Sequence, residues 1–377
     1  MKSLLTDILS PFPYSSNCID SAEFSHSVYL ARRNNMEMLF YARLKKHFAG
    51  KSNCVDDYLQ RYEKSYLLAV ARSMRQEAVE KDIVAVLNKE GIAACIIKGN
   101  ELARTVYDDP NCRSSSDVDV LVKQSDFYKA DLSLRDANYT PDQKILFADF
   151  MYHTHHKGYH DSKFNIPIEI HWRFGVPYFF KLSSDEIWNG IVIDDKGHAK
   201  LSPTMLLVIL LIHHHFHSFR ELRVLVDLLW FFCKYDSAID WSGLTLTLRR
   251  IGLTKTTLIT INQLEDIWSE RISSLKSIKS LKHSLADTGF MGTTYLAEYF
   301  RMDLNAGSTL NFYKDKFIAR IALDGLDTIF LSYWKTIFPP AEVIQKIYHS
   351  NSNLMLPMNY MRFISTRVTY WMGLTKG

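Results

Sequence analysis

Ile96-Ile97-Lys98-Gly99-Asn100, followed after a short interval by Arg113-Ser114-Ser115-Ser116-Asp117-Val118-Asp119-Val120-Leu121-Val122, decides the fold. Polar and apolar residues alternate from Asp117 to Val122, which is the period of a strand with one face in a core. Asp117 and Asp119 then share a face about 6.6 Å apart along the chain, while Val118, Val120 and Val122 point to the other side. Like charges so placed oppose each other's ionisation unless a cation lies between them, and hard oxygen donors suit Mg²⁺ or Mn²⁺. Upstream, Ala93 to Ile97 is a short apolar run that ends at Lys98-Gly99 just before a helical pattern from Asn100 to Tyr107. Gly99 allows close backbone approach, and the open amides at that helix start favour a phosphate.

Downstream, Pro167 to Trp172 alternates again, so Glu169, His171 and Arg173 share a face. If this strand neighbours the first, Glu169 joins the aspartates, and three carboxylates suffice for a two-metal site of the kind that activates an attacking oxygen. Bland alternatives stand beside each assignment. An edge strand with solvated charges has the same spacing as Asp117 and Asp119. Glu169 is equally able to pair with Arg173 or a lysine, Lys98 to extend from a strand end, and Arg113 to pair with Asp108 or Asp109. His171 reads better as a hydrogen-bonded support than as a metal ligand.

The rest of the chain is helical in pattern. Residues 21 to 89 are rich in Ala, Leu, Glu, Arg and Tyr and predict two long helices split near 49–53; a helix over 126–136 has Ser125 as its expected cap. Beyond Ser202, Pro203 opens a helix to about His217, and further helices are expected over 220–235, 254–268, 287–300, 312–334 and 340–349, with an amphipathic helix in the last twenty residues. The expected architecture is α+β or α/β: a helical arm over residues 1–90, a small mixed-sheet core over 91–200 and an all-helical domain over 201–377.

Composition bounds the function. The chain has 377 residues, 47% hydrophobic and 23% charged, which at roughly 150 residues per domain is a two- to three-domain globular protein. A net charge of +4 supplies no global footprint for nucleic acid, and the C-terminal mixture of Arg362, Arg367 and Lys376 with Tyr360, Tyr370 and Trp371 is the one candidate patch. The five cysteines, Cys18, Cys54, Cys95, Cys112 and Cys233, show no C-x-x-C pair, so a reducing, cytoplasmic setting is expected. Met205 to Ile212, eight residues, is the longest apolar run, too short for a bilayer that needs about 20. Ten of fourteen histidines fall between His153 and His217. Zinc is the alternative they raise, but His214 stands where a zinc protease would need Glu, and thiolate partners are absent.

The ordered set resembles the DNA polymerase beta-type nucleotidyltransferase superfamily. It is closer to the uncharacterised nucleotidyltransferase family whose pattern is met here by Ile97-Lys98-Gly99, Tyr107-Asp108-Asp109, Arg113, Asp117-Val118-Asp119-Val120-Leu121-Val122 and Glu169-Ile170-His171-Trp172. The likeness continues at His213, His217, Leu222-Arg223 and Asp227, and weakly from Phe338-Pro339-Pro340 to Tyr348. One departure is Gly99-Asn100, where the broad superfamily has Gly-Ser or Gly-Gly. The resemblance implies an enzyme that moves a nucleoside monophosphate from a nucleoside triphosphate to a hydroxyl. Asp117, Asp119 and Glu169 would hold Mg²⁺ or Mn²⁺, and Lys98, Gly99, Asn100, Arg113 and Ser116 would hold the nucleotide. His171, His213, His217, Arg223 and Asp227 would lie on the acceptor side, or would merely cap and pair helices. The small net charge favours a small-molecule, sugar or peptide acceptor over nucleic acid. A non-catalytic nucleotide-binding scaffold or sensor of the same fold is the alternative.

Overall fold

The computed structural model describes residues 3–14, 19–113, 115–142, 154–175, 178–195, 198–286, 292–305, 312–348 and 352–371. Four helices come first: α1 (Leu4–Leu9), α2 (Ser21–Arg33), α3 (Glu37–Phe48) and α4 (Asn53–Lys89). The two helices expected over 21–89 are therefore three, because Asn35 takes a left-handed φ of 55° that ends α2 and re-aims the chain into α3. The core follows as β1 (Ala94–Ile96), α5 (Gly99–Val106), β2 (Val118–Val122), α6 (Phe127–Asp136), β3 (Thr140–Pro141), β4 (His156–His160) and β5 (Pro167–His171), then α7 (Ser184–Asn189) and the hairpin β6 (Ile191–Ile193) and β7 (Ala199–Leu201). Ser125 lies in a 3₁₀ turn rather than capping α6, which starts at Phe127.

The remainder is helical: α8 (Pro203–Phe216), α9 (Leu222–Tyr235), α10 (Trp241–Ile251), α11 (Thr254–Trp268), α12 (Glu270–Ser273), α13 (Lys276–Ala286), α14 (Gly292–Tyr299), α15 (Phe312–Ala319), α16 (Leu326–Ile337), α17 (Ala341–Ile347) and α18 (Leu356–Trp371). Helices α10, α12 and α13 had no counterpart in the sequence reading. The expected helix over 312–334 is broken by a 3₁₀ turn at Arg320–Ala322 and by Gly325, whose φ of 85° suits glycine. Cys18, His153, Lys376 and residues 287–291 of an expected helix lie outside the described residues.

The main sheet has the order β1-β2-β5-β4-β3, with β2 and β5 parallel and the other pairs antiparallel. One face is covered by α4 and α6, because Val79, Ile83 and Leu87 recur every fourth residue and Phe127, Ala130 and Leu134 form a matching stripe. These pack on Val118, Val120, Val122, Ile168, Ile170 and the fully buried Trp172. Leu121, on the other face, joins a larger cluster with Ile97, with Leu206 to Ile212 of α8 and with α9, and that cluster also contains Leu4 to Leu9 and much of α2 and α3. The sheet is thus a partition whose second face, carrying the polar residues of β2 and β5, looks toward the helices after residue 202. No helix among the described residues is long and apolar enough to cross a membrane.

Candidate active site

The parallel register sets Asp119 directly against Glu169 and Leu121 against His171. Since Val118 and Ile168 are committed to the core under α4, alternation leaves both carboxylates on the helix-facing side. Asp119 is 2% exposed. Its Oδ1 receives the Lys98 ammonium at 2.8 Å and His171 Nε2 at 2.9 Å, and the same imidazole nitrogen lies 3.1 Å from Glu169 Oε2. Glu169 Oε1 is 3.6 Å from His156 Nε2 across the β4–β5 pair. Asp117 precedes the strand proper and accepts from the Ser115 hydroxyl at 3.1 Å.

The electrostatics follow from this packing. Burial would raise the Asp119 carboxyl, but Lys98 and His171 outweigh it and hold the group well below its ordinary value. Lys98 is moved the opposite way: burial favours the neutral amine, and Asp119 with its hydrogen bond holds the ammonium above its usual range. Burial likewise disfavours the His171 imidazolium, yet the bonds to Asp119 and Glu169 leave it raised. Glu169 is lowered by the His171 bond against its own desolvation.

Lys98 stands at the N-cap of α5 with no side-chain cap bond, and Gly99 follows with φ of 57°, so no side chain caps the first amides of the helix. A Cβ at Gly99 would meet the Asp117 carbonyl and the Ser115 side chain at 3.5 Å, so glycine is favoured here by its backbone angle more than by space. Asn100 departs from expectation. Its side chain is 5% exposed and turned onto α4, where Oδ1 accepts from the Ser73 hydroxyl at 2.8 Å and Nδ2 donates to the Ser73 carbonyl at 3.1 Å. The amide side chain of Asn100 is therefore spent on fixing α5 to α4.

Arg113 is also placed otherwise than as a phosphate ligand. It forms a buried fork with Asp227, Nε to Oδ1 at 2.7 Å and Nη2 to Oδ2 at 2.9 Å, and Nη1 reaches the Gly99 carbonyl at 3.4 Å. The Tyr107 hydroxyl donates to the same Asp227 oxygen at 2.7 Å. Asp227 is fully buried, so it presents nothing to an acceptor; it ties α9 to the loop that carries the acidic strand. Ser116 is exposed, and its carbonyl accepts from Arg72 at 3.0 Å.

His213 is half-buried and electrostatically coupled to the site. Burial, then Lys98, pushes its imidazole well below the ordinary value, with Asp119 the opposing influence. His217 pairs through Nδ1 with Glu221 at 2.7 Å, and Arg223 lies 3.8 Å from the other Glu221 oxygen. His214 and His215 are structural, bonded to Gln263 and Thr256 inside the helical core. His155 and His156 had entered the sequence reading only as part of a histidine-rich stretch. The missed signal is the alternation His156-Lys157-Gly158-Tyr159-His160: read as a strand, it sets His156 and Gly158 on the face of Glu169, while Lys157 and Tyr159 bond Asp131 on the opposite side.

A mixed sheet bearing in-register acids, closed by a Lys-Gly helix start and flanked by helices, is the architecture of a nucleotidyltransferase core. A family model described as uncharacterised nucleotidyltransferase matches residues 20–268, more than half of the chain, and this chain belongs to that family. No curated protein and no solved structure matches it.

Proposed function

We propose that the cleft transfers a nucleoside monophosphate from a nucleoside triphosphate to a hydroxyl of a small-molecule, sugar or peptide acceptor, with Mg²⁺ or Mn²⁺ as cofactor. The observation that carries this reading is the facing pair Asp119 and Glu169, set beside Lys98 and the N-terminus of α5. The donor chemistry fits a hard divalent ion: Asp119 and Glu169 face each other in register with carboxylate oxygens in one cluster, and Asp117 adds a carboxylate before the strand. Bound by these residues, such an ion supplies neutralisation of phosphate charge and a lower pKa for the acceptor hydroxyl.

The chain's own groups have separate tasks. The amides of Gly99 and Asn100 receive the phosphates with the helix dipole behind them. Lys98 holds positive charge against Asp119 and the phosphates, and His171 keeps a proton at Nε2 between Asp119 and Glu169 so that the carboxylates stay aligned. The acceptor oxygen forms its bond to the α-phosphorus as the bond to the leaving pyrophosphate breaks, and the hydroxyl proton is released. Stabilisation is electrostatic throughout.

A nucleotide-binding scaffold without turnover is the second reading, favoured by one observation: Asp119 Oδ1 already has two cationic partners, Lys98 and His171. Mass spectrometry of products formed from each nucleoside triphosphate, Mg²⁺ and a cell extract tests the proposal, with Glu169→Gln as the discriminating variant. An enzyme keeps nucleotide affinity and loses turnover by orders of magnitude. Full complementation of a deletion phenotype by Glu169→Gln would leave the scaffold reading standing instead.

A further inference from the structure

His156 and His171 are cross-strand partners, with ring centroids 5.1 Å apart, and both use Nε2 in the same way. Each directs it at Glu169, and His171 directs it at Asp119 as well. Each is then left with a buried Nδ1 that has no hydrogen-bond partner among the described residues. His171 is 2% exposed, so its orphaned nitrogen is shut away from bulk water as well as from protein donors. A buried ring nitrogen without a partner is costly in either protonation state, and a cation that displaces its proton removes that cost. His155 adds a third ring, 4.5 Å from His156 and 5.7 Å from His171, and one ring nitrogen from each of the three lies within 4.8 Å of the others.

We infer that His155, His156 and His171 form a nitrogen-donor site for a borderline divalent cation such as Zn²⁺ or Co²⁺, separate in chemistry from the oxygen-donor site of Asp117 and Asp119. The hydrogen bonds from His171 Nε2 to carboxylates are the outer contacts that metal-bound imidazoles characteristically make: they fix the tautomer and strengthen the opposite nitrogen as a donor. Tetrahedral donors at about 2.0–2.1 Å from an ion stand roughly 3.3–3.5 Å apart, so the three nitrogens, now within 4.8 Å of one another, must draw together, and His155 and His156 are only partly buried. A solvent molecule would take the fourth position. An occupied site would hold His171 in the orientation that Asp119 and Glu169 already require, coupling the nitrogen site to the alignment of the acids. The inference does not require nucleotidyl transfer, since it rests on the three imidazoles and the carboxylates that His156 and His171 face.

Titration of the metal-stripped full chain with Co²⁺, followed by visible absorption, tests it. The expected result is one equivalent of Co²⁺ with a ligand-field spectrum, displaced by Zn²⁺ as the order of affinities requires and unaffected by excess Mg²⁺. Affinity should fall at least about tenfold in His156→Ala and further in the His155→Ala, His156→Ala double variant, while Asp117→Asn binds Co²⁺ like the native chain. His156→Gln gives the same readout should the alanine variant lose its helical circular dichroism. Absence of ligand-field binding in the native chain overturns the site, as does a double variant that binds Co²⁺ with native affinity.

Discussion

Asp227 shows how one residue's role changes once its neighbours are known. Fully buried and forked to Arg113, it is half of an ion pair that no solvent screens. Removing one partner of such a pair leaves an uncompensated charge, so Asp227→Asn should lose roughly 3–5 kcal/mol of stability in urea denaturation, with nucleotide binding per folded molecule retained. Unchanged stability with lost transfer would return Asp227 to the acceptor side. Glu80 makes a pH prediction. Burial, opposed by Arg104, pushes its carboxyl up to about 7 from the usual 4.5. The folded chain therefore keeps this proton across pH 4.5–7 where the unfolded chain releases it, and stability falls as pH rises through that window. Glu80→Gln should match the native chain near pH 4.5 and gain relative to it by pH 8, by up to roughly 3 kcal/mol. Parallel melting curves across pH for the two proteins would refute this.

Among the elements, the junction of α2 and α3 rests on Asn35 at a φ of 55°. The Arg32–Glu37 pair at 2.9 Å spans the turn, and the neighbouring Asn34 Nδ2 donates to the Leu30 and Leu304 carbonyls. Asn35→Ala should cost up to about 1 kcal/mol, because it keeps the Cβ that opposes the left-handed region and loses the short polar side chain that offsets it, whereas Asn35→Gly removes that Cβ and should cost little or nothing. Equal melting temperatures for the two variants would show that the turn relaxes to another conformation. The β2–β5 pairing is specified more strongly: slipping β5 by one residue against β2 would turn Ile168 to the polar face and bury Glu169 under α4.

At the scale of the molecule, the N-terminal helix closes the core from a distance. Leu5 and Leu9 are fully buried, Trp268 Nε1 donates to the Thr6 carbonyl at 2.8 Å and Trp230 Nε1 to the Leu9 carbonyl at 2.9 Å. Deleting residues 1–14 should lower the melting temperature by several degrees and red-shift tryptophan fluorescence, since each buried leucine contributes roughly 1.5–3 kcal/mol and two indoles lose their acceptors. A truncated chain with native melting and emission would place that helix outside the core. The three expected segments also share one hydrophobic cluster, with Leu5, Ile97 and Leu225 all belonging to it.

The order of strand, Lys98-Gly99, helix, Asp117-Val118-Asp119 and Glu169 was legible in the sequence because period-two alternation and helix starts are local properties, set by neighbours a few residues apart. Local pattern likewise marked Asp119 and Glu169 as lying on one face if their strands met. Three things needed the tertiary structure. Asn100 finds Ser73 across 27 residues and Arg113 finds Asp227 across 114, and no spacing rule reaches that far. Strand β4 was hidden because its partly exposed positions are His156, Gly158 and His160 and its buried ones are Lys157 and Tyr159, held by Asp131, so hydrophobicity does not alternate along it. The convergence of His155, His156 and His171 beside the acids follows from that strand's pairing with β5, a register fixed by the whole sheet and not by any segment of it.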